Sequence, residues 1–474
     1  MIAVPWLTRL ALAAVIAGNP PIDAPPRIHP EDPHRLAVGD RLFFPLGHYG
    51  ASLTATSRDW DRDPRAMNRR LFDLLAEHGL DYSRAWVYWG ALPIERSAWN
   101  AFTVHPYART GPGRAIDGEP RFDLDRFEDA HFELIAGSVD DAAERGIVLQ
   151  LVVFDCWHLL SRDRHPGSGV AYDPLHPANH VGEDGPRTPE QWADPEGPTF
   201  ERHRRYVRRL VETVGDRPNI VWEACNENSV DFPRFDLAVA ELITATEREL
   251  ASRGVRQHLV MPRDLPDHRQ VAGQFLPAAD RPDVAETLEE MRAALADEQW
   301  AWNRPLIVDN DCCRDRGSAS LRRRKAWAAL SAGAHVSFFL PEVPSDRGLL
   351  ESRDTRNGLR FFGVVRDFLE RSAIDLVGMA PCSVAAGPGW CFGHADGERV
   401  VVLPEGGETT LAGLPEPRVA CWVDPRSGAL LEAGAGPRWL APNRRDWVLW
   451  VRPGEGPCRW RRPVAGDGGA SGGG

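Results

Sequence analysis

The sequence lacks several features that would place it in a common functional class. It has no excess of positive charge, since 68 Asp and Glu outweigh 56 Lys and Arg to give a net charge of -12, which argues against nucleic-acid binding. The apolar stretch at residues 6–17 contains Arg9 and is too short to span a membrane. No spacing of Cys and His fits a zinc site. We therefore expect no nucleic acid, no membrane, no metal and no cofactor.

The eight cysteines do not indicate a cellular compartment. Only Cys382 and Cys391 are spaced for a local disulfide, whereas Cys156 and Cys225 fall in predicted core strands. Residues 1–26 are interpreted as a signal or linker segment that ends in prolines. If they form a signal peptide the protein is secreted or periplasmic, and otherwise it is cytoplasmic. The oligomeric state is left open.

The chain repeats a pattern of apolar strand, polar loop and amphipathic helix. We predict strands at 41–49, 82–89, 147–154, 219–228, 258–262, 270–275, 305–308 and 335–340. We predict helices from about residue 64, and at 124–144, 200–214, 234–253, 283–298, 318–332 and 358–371. Such a repeat predicts parallel βα units in an α/β fold, a (β/α)8 TIM barrel over 27–374. A doubly wound sheet is the alternative, although no Gly-rich phosphate loop follows the first strand.

Beyond residue 374 the pattern changes to short alternating runs separated by Gly, Pro and Asp. Alternation of this kind is typical of antiparallel strands, so residues 375–460 are predicted to form a small all-β sandwich. The Gly-rich residues 461–474 are expected to be disordered. Tryptophan is frequent, 17 residues against 6 tyrosines, and indole faces stack on sugar rings, which favours a carbohydrate ligand.

The fourth predicted strand ends in Asn226-Glu227, where an apolar run delivers a carboxylate to the carboxyl end of the sheet. That end of a TIM barrel carries the active site. An Asn-Glu pair after a strand can also simply cap a helix. Glu223 lies inside the strand and is interpreted as a structural partner, for example of an arginine, although strict alternation would place it on the same face as Glu227.

The motif Trp222-Glu223-x-x-Asn226-Glu227 resembles the retaining TIM-barrel glycoside hydrolases, and is most similar to bacterial cellulase-like and apiosidase-like barrels with a C-terminal β-sandwich. Further motifs in the same order support the resemblance over residues 41–452: Trp99-Asn100-Ala101-Phe102, Tyr107-Ala108-Arg109, His176-Pro177-Ala178-Asn179 and Asp309-x-Asp311.

The resemblance implies that Glu227 is the acid/base, that Asn226 binds the sugar 2-hydroxyl, and that Arg84 lies near the nucleophile. The nucleophile should end the seventh strand, but Asn310 occupies its usual position. An amide cannot attack the anomeric carbon, so a flanking aspartate must serve, and we favour Asp311 over Asp309 because later positions lie nearer the active face.

Other polar and aromatic residues near predicted strand ends are candidates for binding the sugar: His48, Tyr88, Trp89, Asp155, Trp157, His158 and Glu342. The aromatic residues could equally be core, and His48, His158, His176 and His180 could equally anchor loops. A calcium loop at Asp309-Asp311 is disfavoured because Cys312, Cys313 and Arg314 follow.

We therefore expect a glycoside hydrolase that acts by a retaining double displacement, which requires two carboxyl groups about 5–5.5 Å apart. A separation of about 6.5–9.5 Å would instead predict inversion. The alternative is a non-catalytic carbohydrate-binding protein on a degenerate barrel, which Asn310 suggests.

Overall fold

Eight parallel strands form the central sheet of the computed structural model. In chain order they are β1 to β8: Leu46–Ser52, Tyr82–Trp86, Val148–Asp155, Ile220–Asn226, Val260–Met261, Gly273–Phe275, Leu306–Asn310 and His335–Phe339. Their spatial order is β5-β4-β3-β2-β1-β8-β7-β6. This is the order of a (β/α)8 barrel opened between its fifth and sixth strands, and residues 262–272, which join those strands, lie outside the described part of the chain.

The structure describes residues 19–88, 102–159, 169–226, 232–261, 273–275, 287–310, 318–339, 346–414, 416–434 and 436–461. For a few of them, including Trp157, His158 and Asp309, it describes the backbone alone. The predicted Gly-rich tail beyond residue 461 lies outside these ranges.

Helices follow the strands as the sequence predicts. Those of the described residues are Pro64–Glu77, Asp129–Ala143, Pro189–Trp192, Thr199–Val214, Pro233–Leu250, Leu288–Trp302, Ala319–Ser331, Arg347–Leu350 and Arg353–Ser372. In Thr199–Val214 the buried residues Val207, Leu210 and Val214 recur at helical spacing, which places one apolar face on the sheet. Within the described ranges, no helix is long and apolar enough to cross a bilayer.

An antiparallel sheet of three strands precedes the parallel sheet: Pro26–His29, Asp32–Val38 and Arg41–Phe43. The predicted strand at 41–49 is therefore wrong as one element, because it divides between this sheet and β1 on either side of Pro45. Leu36 and Phe43 pack against Tyr82, Val148 and Ile307 near the starts of parallel strands. The small sheet thus covers the end of the parallel sheet opposite the strands' carboxyl ends.

The segment before the second long helix also differs from prediction. The helix predicted at 124–144 begins only at Asp129, because Pro120–Phe127 forms a strand antiparallel to Tyr107–Arg114. Phe122 and Leu124 are buried on one face of that strand, the two-residue spacing of a strand. A further short pair joins Ala55–Thr56 to Phe102–Thr103.

The C-terminal region forms a six-stranded antiparallel sheet, as its alternating pattern predicts. Its strands are Ala380–Cys382, Trp390–Gly393, Arg399–Leu403, Arg418–Val423, Leu430–Glu432 and Trp447–Pro453, and a separate pair joins Glu408–Thr410 to Arg438–Leu440. Val401 and Leu403 pack in the cluster that contains Trp439 of this pair. Val400 and Val402 belong to the main core. The sheet is therefore buried on both faces: one packs on the two-stranded pair, as in a sandwich, and the other packs on the main core.

Buried histidines make the fold sensitive to acid. Burial lowers the pKa of His48 to about 3 and the pKa values of His131 and His203 to about 4. In the unfolded chain these histidines bind protons below the ordinary histidine pKa of about 6.5, whereas in the folded chain they stay neutral down to about pH 4. The free energy of unfolding therefore falls as the pH decreases from about 6.5 to 4.

We expect the free energy of unfolding, measured by urea denaturation, to decrease by up to about 1.4 kcal/mol per pH unit for each buried histidine in this window. A His131→Gln variant should show a smaller slope with pH than the wild type. A stability that is constant between these pH values would contradict the expectation.

Candidate active site

The strands β2, β3 and β4 hold a buried polar network around Arg84, which reaches the carboxyl ends of β3 and β4 at Asp155 and Asn226. The Arg84 Nε donates to Glu223 Oε2 at 2.6 Å, and its Nη2 pairs with Glu223 Oε1. Neither side chain is exposed by more than 2%. They come from β2 and β4, alternate strands, which supply the same interior layer in a TIM barrel. The interpretation of Glu223 as the partner of an arginine agrees with this contact.

Gln150 on β3 lies between β2 and β4 and hydrogen-bonds to the ion pair of Arg84 and Glu223. Its Nε2 donates to Glu223 Oε2 at 2.6 Å, and its Oε1 accepts from the Tyr82 hydroxyl. The guanidinium of Arg84 also lies over the Trp86 ring, 4.6 Å from its centroid. The buried charges are thus satisfied by hydrogen bonds on several sides, as a buried ion pair requires.

Asn226, the last residue of β4, joins the same network. Its Oδ1 accepts from Arg84 Nη2 at 2.8 Å, and its Nδ2 donates to Asp155 Oδ1 at 2.7 Å. Asn226 is an odd number of positions from Glu223, yet both contact Arg84, so strict alternation does not hold at the strand end. The structure therefore brings together three predicted residues, Arg84, Asn226 and Asp155. Asn226 immediately precedes Glu227 in the chain.

A disulfide fixes the strand ends beside this network. Cys156 and Cys225 are bonded with Cα atoms 6.0 Å apart, although they lie 69 residues apart in the chain. Cys156 begins the turn Cys156–Leu159, and Cys225 immediately precedes Asn226. A second disulfide, Cys382–Cys391, confirms the local pairing that the sequence predicts. The third, Cys421–Cys458, was not predicted.

Removing the disulfide between the strands should destabilise the protein. A cross-link over 69 residues restricts the unfolded chain by about 4 kcal/mol in the chain-entropy account. We expect Cys156→Ala/Cys225→Ala to lose free energy of unfolding of that order in urea denaturation. An unchanged free energy would show that this cross-link does not constrain the unfolded chain.

His48 and Tyr88, two further candidates, are buried in this structure. His48 on β1 has no exposed surface, and its imidazole is surrounded closely enough for burial to lower its pKa to about 3. The Tyr88 hydroxyl lies 3.4 Å from Asp173 Oδ2, and burial raises its pKa well above the ordinary value. Sugar contacts by either residue stay predictions.

Two motifs used for the resemblance act as loop anchors. Asn179 Nδ2 donates to the carbonyl oxygens of Ala171 and Asp173 at 2.9 and 2.8 Å, and its Oδ1 accepts from Ile116 N at 3.0 Å. Arg109 pairs with Asp117 and lies 4.0 Å from the centroid of the Phe122 ring. His176 and His180 likewise accept hydrogen bonds from nearby backbone N–H groups.

Several predicted site residues lie outside the described part of the chain: Glu227, Asp311, Trp89 and Glu342. For Asp309, Trp157 and His158 the backbone alone is described, and it places Asp309 in β7, paired with Ser337. Asn310 ends that strand. Among the residues that the structure does describe, no three His, Cys, Asp or Glu side chains form a metal-binding group.

Gln150 was missed in the sequence. It is the one polar residue inside the apolar run 147–154, and a buried polar side chain requires a partner. Alternation places Gln150 on the same face as Val148, which packs with Tyr82 and Val221, and the pairing of β3 with β2 sets Gln150 beside Arg84.

Comparison with solved structures identifies the fold that carries this network. A glycoside hydrolase family 5 protein of Bacteroides vulgatus aligns with a TM-score of 0.62 at 14% identity, covering 92% of this chain and 95% of that one. The chain shares the fold of this glycoside hydrolase. A second glycoside hydrolase aligns with a TM-score of 0.63 at 13% identity over 91% and 97% of the two chains. No protein-family model and no curated protein matches the sequence.

The glycoside hydrolase fold agrees with the resemblance read from the sequence and with the position of the polar network. In barrels of this kind active sites lie at the carboxyl ends of the strands. Asp155 and Asn226 end two neighbouring strands at that end, and Arg84, in the middle of the next strand β2, donates to Asn226. The N-terminal three-stranded sheet packs at the opposite end.

Proposed function

We propose that the protein is a glycoside hydrolase that cleaves O-glycosidic bonds of a poly- or oligosaccharide, with Glu227 as acid/base. The observation that carries the proposal is the contact of Arg84 with both Glu223 and Asn226. It fixes Asn226, the last residue of β4 and the one that precedes Glu227 in the chain, on a buried cation. Pre-organised positioning of this kind is what proton transfer to a leaving oxygen requires.

The second carboxylate comes from the end of β7. In a barrel closed between β5 and β6, β4 and β7 are three strands apart around one interior, so we propose that Asp309 or Asp311 attacks the same sugar whose leaving oxygen Glu227 protonates. The first step forms a bond from an aspartate oxygen to the anomeric carbon and breaks the glycosidic bond, while Glu227 gives its proton to the leaving oxygen. In the second step Glu227 takes a proton from water, which displaces the aspartate with net retention.

Asn226 and Arg84 shape the sugar subsite. The Nδ2 of Asn226 is already held by Asp155 at 2.7 Å, which orients the amide. Trp157 and His158 follow Asp155 in the turn tied to β4 by the Cys156–Cys225 disulfide. We propose that these residues, with Trp89 and Glu342, complete the carbohydrate contacts, and no cofactor is required by this chemistry.

A panel of aryl glycosides and neutral oligosaccharides tests the proposal with wild type, Asp309→Asn and Asp311→Asn. We expect wild-type turnover on at least one member, and a loss of about a hundredfold or more in the variant that lacks the nucleophile. Sugar binding without cleavage of any panel member would instead support the carbohydrate-binding alternative.

A further inference from the structure

A cleft of about 620 Å³ opens where the helix Ala319–Ser331 meets the C-terminal sheet. Its volume is within the range of about 300–1,000 Å³ typical of small-molecule sites, which often lie between domains. Arginine is its commonest lining residue: Arg323, Arg324, Arg426, Arg444 and Arg445. The helix supplies the first two, and the C-terminal region supplies the others.

The cleft is basic on a chain whose net charge is -12. Two carboxylates, Glu405 and Asp446, line it beside the five arginines. A concave surface with an excess of one sign of charge attracts ligands of the other sign. The cleft therefore favours an anion.

Two of the arginines are engaged within the protein. Arg323 Nε and Nη2 donate to Asp446 at 2.7 and 2.9 Å, and Arg426 Nε pairs with Asp424 at 2.7 Å. Within the described ranges no carboxylate forms an ion pair with Arg324, Arg444 or Arg445. Three guanidinium groups are thus available to a ligand.

The wall beside these arginines is firmly packed. Arg324 and Asp446 also border a contact region between Trp327, Trp390 and Trp447 that has no space for a water molecule. The three indoles are buried. Arg323 on the helix and Asp446 on the C-terminal region, joined by two hydrogen bonds, fix the two sides of the cleft relative to each other.

We propose that this cleft binds an acidic saccharide, whose carboxylate or sulfate groups pair with Arg324, Arg444 and Arg445. Guanidinium groups bind such oxyanions through two parallel hydrogen bonds. A single oxyanion would occupy a small part of the cleft, whereas three arginines from two regions suit a ligand with several anionic groups. That the ligand is a saccharide rests on the proposed function.

Isothermal titration calorimetry on the full chain tests the site with an acidic trisaccharide (trigalacturonate), a neutral one (galactotriose) and inorganic sulfate. We expect the acidic trisaccharide alone to bind well, and Arg444→Gln/Arg445→Gln to weaken its binding by about tenfold or more. Arg438→Gln/Arg459→Gln removes the same charge from exposed positions of the same region outside the cleft, and should bind as the wild type does.

Equal weakening in both double variants would overturn the site, because net charge alone would then explain the binding. Equally tight binding of galactotriose or of sulfate alone would also overturn it. Binding is measured without turnover, so a chain that binds trigalacturonate in the cleft but cleaves no glycoside would contradict the proposed function and leave this site standing. A chain that cleaves a glycoside but binds no trigalacturonate in the cleft would contradict this site and leave the proposed function standing.

Discussion

Replacing Glu227 by glutamine should lower kcat/KM for a glycoside with an alkyl leaving group by about 100- to 10,000-fold. Glutamine has no proton to give to the leaving oxygen. A dinitrophenyl glycoside of the same sugar carries a leaving group that departs without protonation, so its glycosylation step should be much less affected. The measurement is kcat/KM of both substrates for wild type and variant.

A Glu241→Gln variant is a matched control, since it makes the same chemical change at an exposed position of the helix Pro233–Leu250. It should retain wild-type kinetics on both substrates. An equal loss on the two leaving groups in Glu227→Gln would indicate damage to the site and no role for Glu227 as the acid.

Replacing Arg84 by methionine should lower the free energy of unfolding by about 3–5 kcal/mol, because Glu223 would be left as a buried, unpaired carboxylate. The side chains of both residues are exposed by 2% or less, so water cannot replace the lost partner. Arg145→Met is the surface comparison, since its partner Asp73 is 44% exposed, and we expect a loss below about 1 kcal/mol there. Urea denaturation measures both.

The double variant Arg84→Met/Glu223→Leu separates stability from function. It removes both charges, so we expect it to recover much of the stability that either single change loses. Activity should not recover, because Asn226 still lacks the hydrogen bond from Arg84 Nη2. Recovery of kcat together with stability would contradict the positioning role of Arg84.

The central sheet could be predicted from the sequence because its signals are local. The run 147–154 is apolar and β-branched, and the helix Thr199–Val214 repeats buried residues at helical spacing. Each of these patterns lies within one short segment. The order of the segments was then enough to predict parallel βα units.

Features that depend on distant contacts were missed or misread. Residues 124–127 carry apolar side chains that fit a helix, and pairing with Tyr107–Arg114 makes them a strand instead. The Cys156–Cys225 disulfide depends on the register of β3 and β4, in which Asp155 is paired with Asn226. No pattern near either cysteine reveals that register.

The site could be predicted in part. Arg84 and Asn226 were proposed from the resemblance and Asp155 from its place at a strand end, and the structure joins them by direct hydrogen bonds. The choice between Asp309 and Asp311 stays a prediction, because it depends on how β7 ends and on the approach of a sugar. Gln150 was missed because its role appears only when β2, β3 and β4 lie side by side.

The central claim is a glycosyl transfer to a carboxylate at the end of β7, and trapping that intermediate tests it most directly. A 2-deoxy-2-fluoro glycoside of the sugar that the enzyme cleaves, with a dinitrophenyl leaving group, slows both steps and allows the covalent adduct to accumulate. Mass spectrometry of the digested protein should then find the sugar on Asp311 or Asp309. Rapid turnover of the parent glycoside with no adduct at either residue, or an adduct on Glu342, would contradict the account.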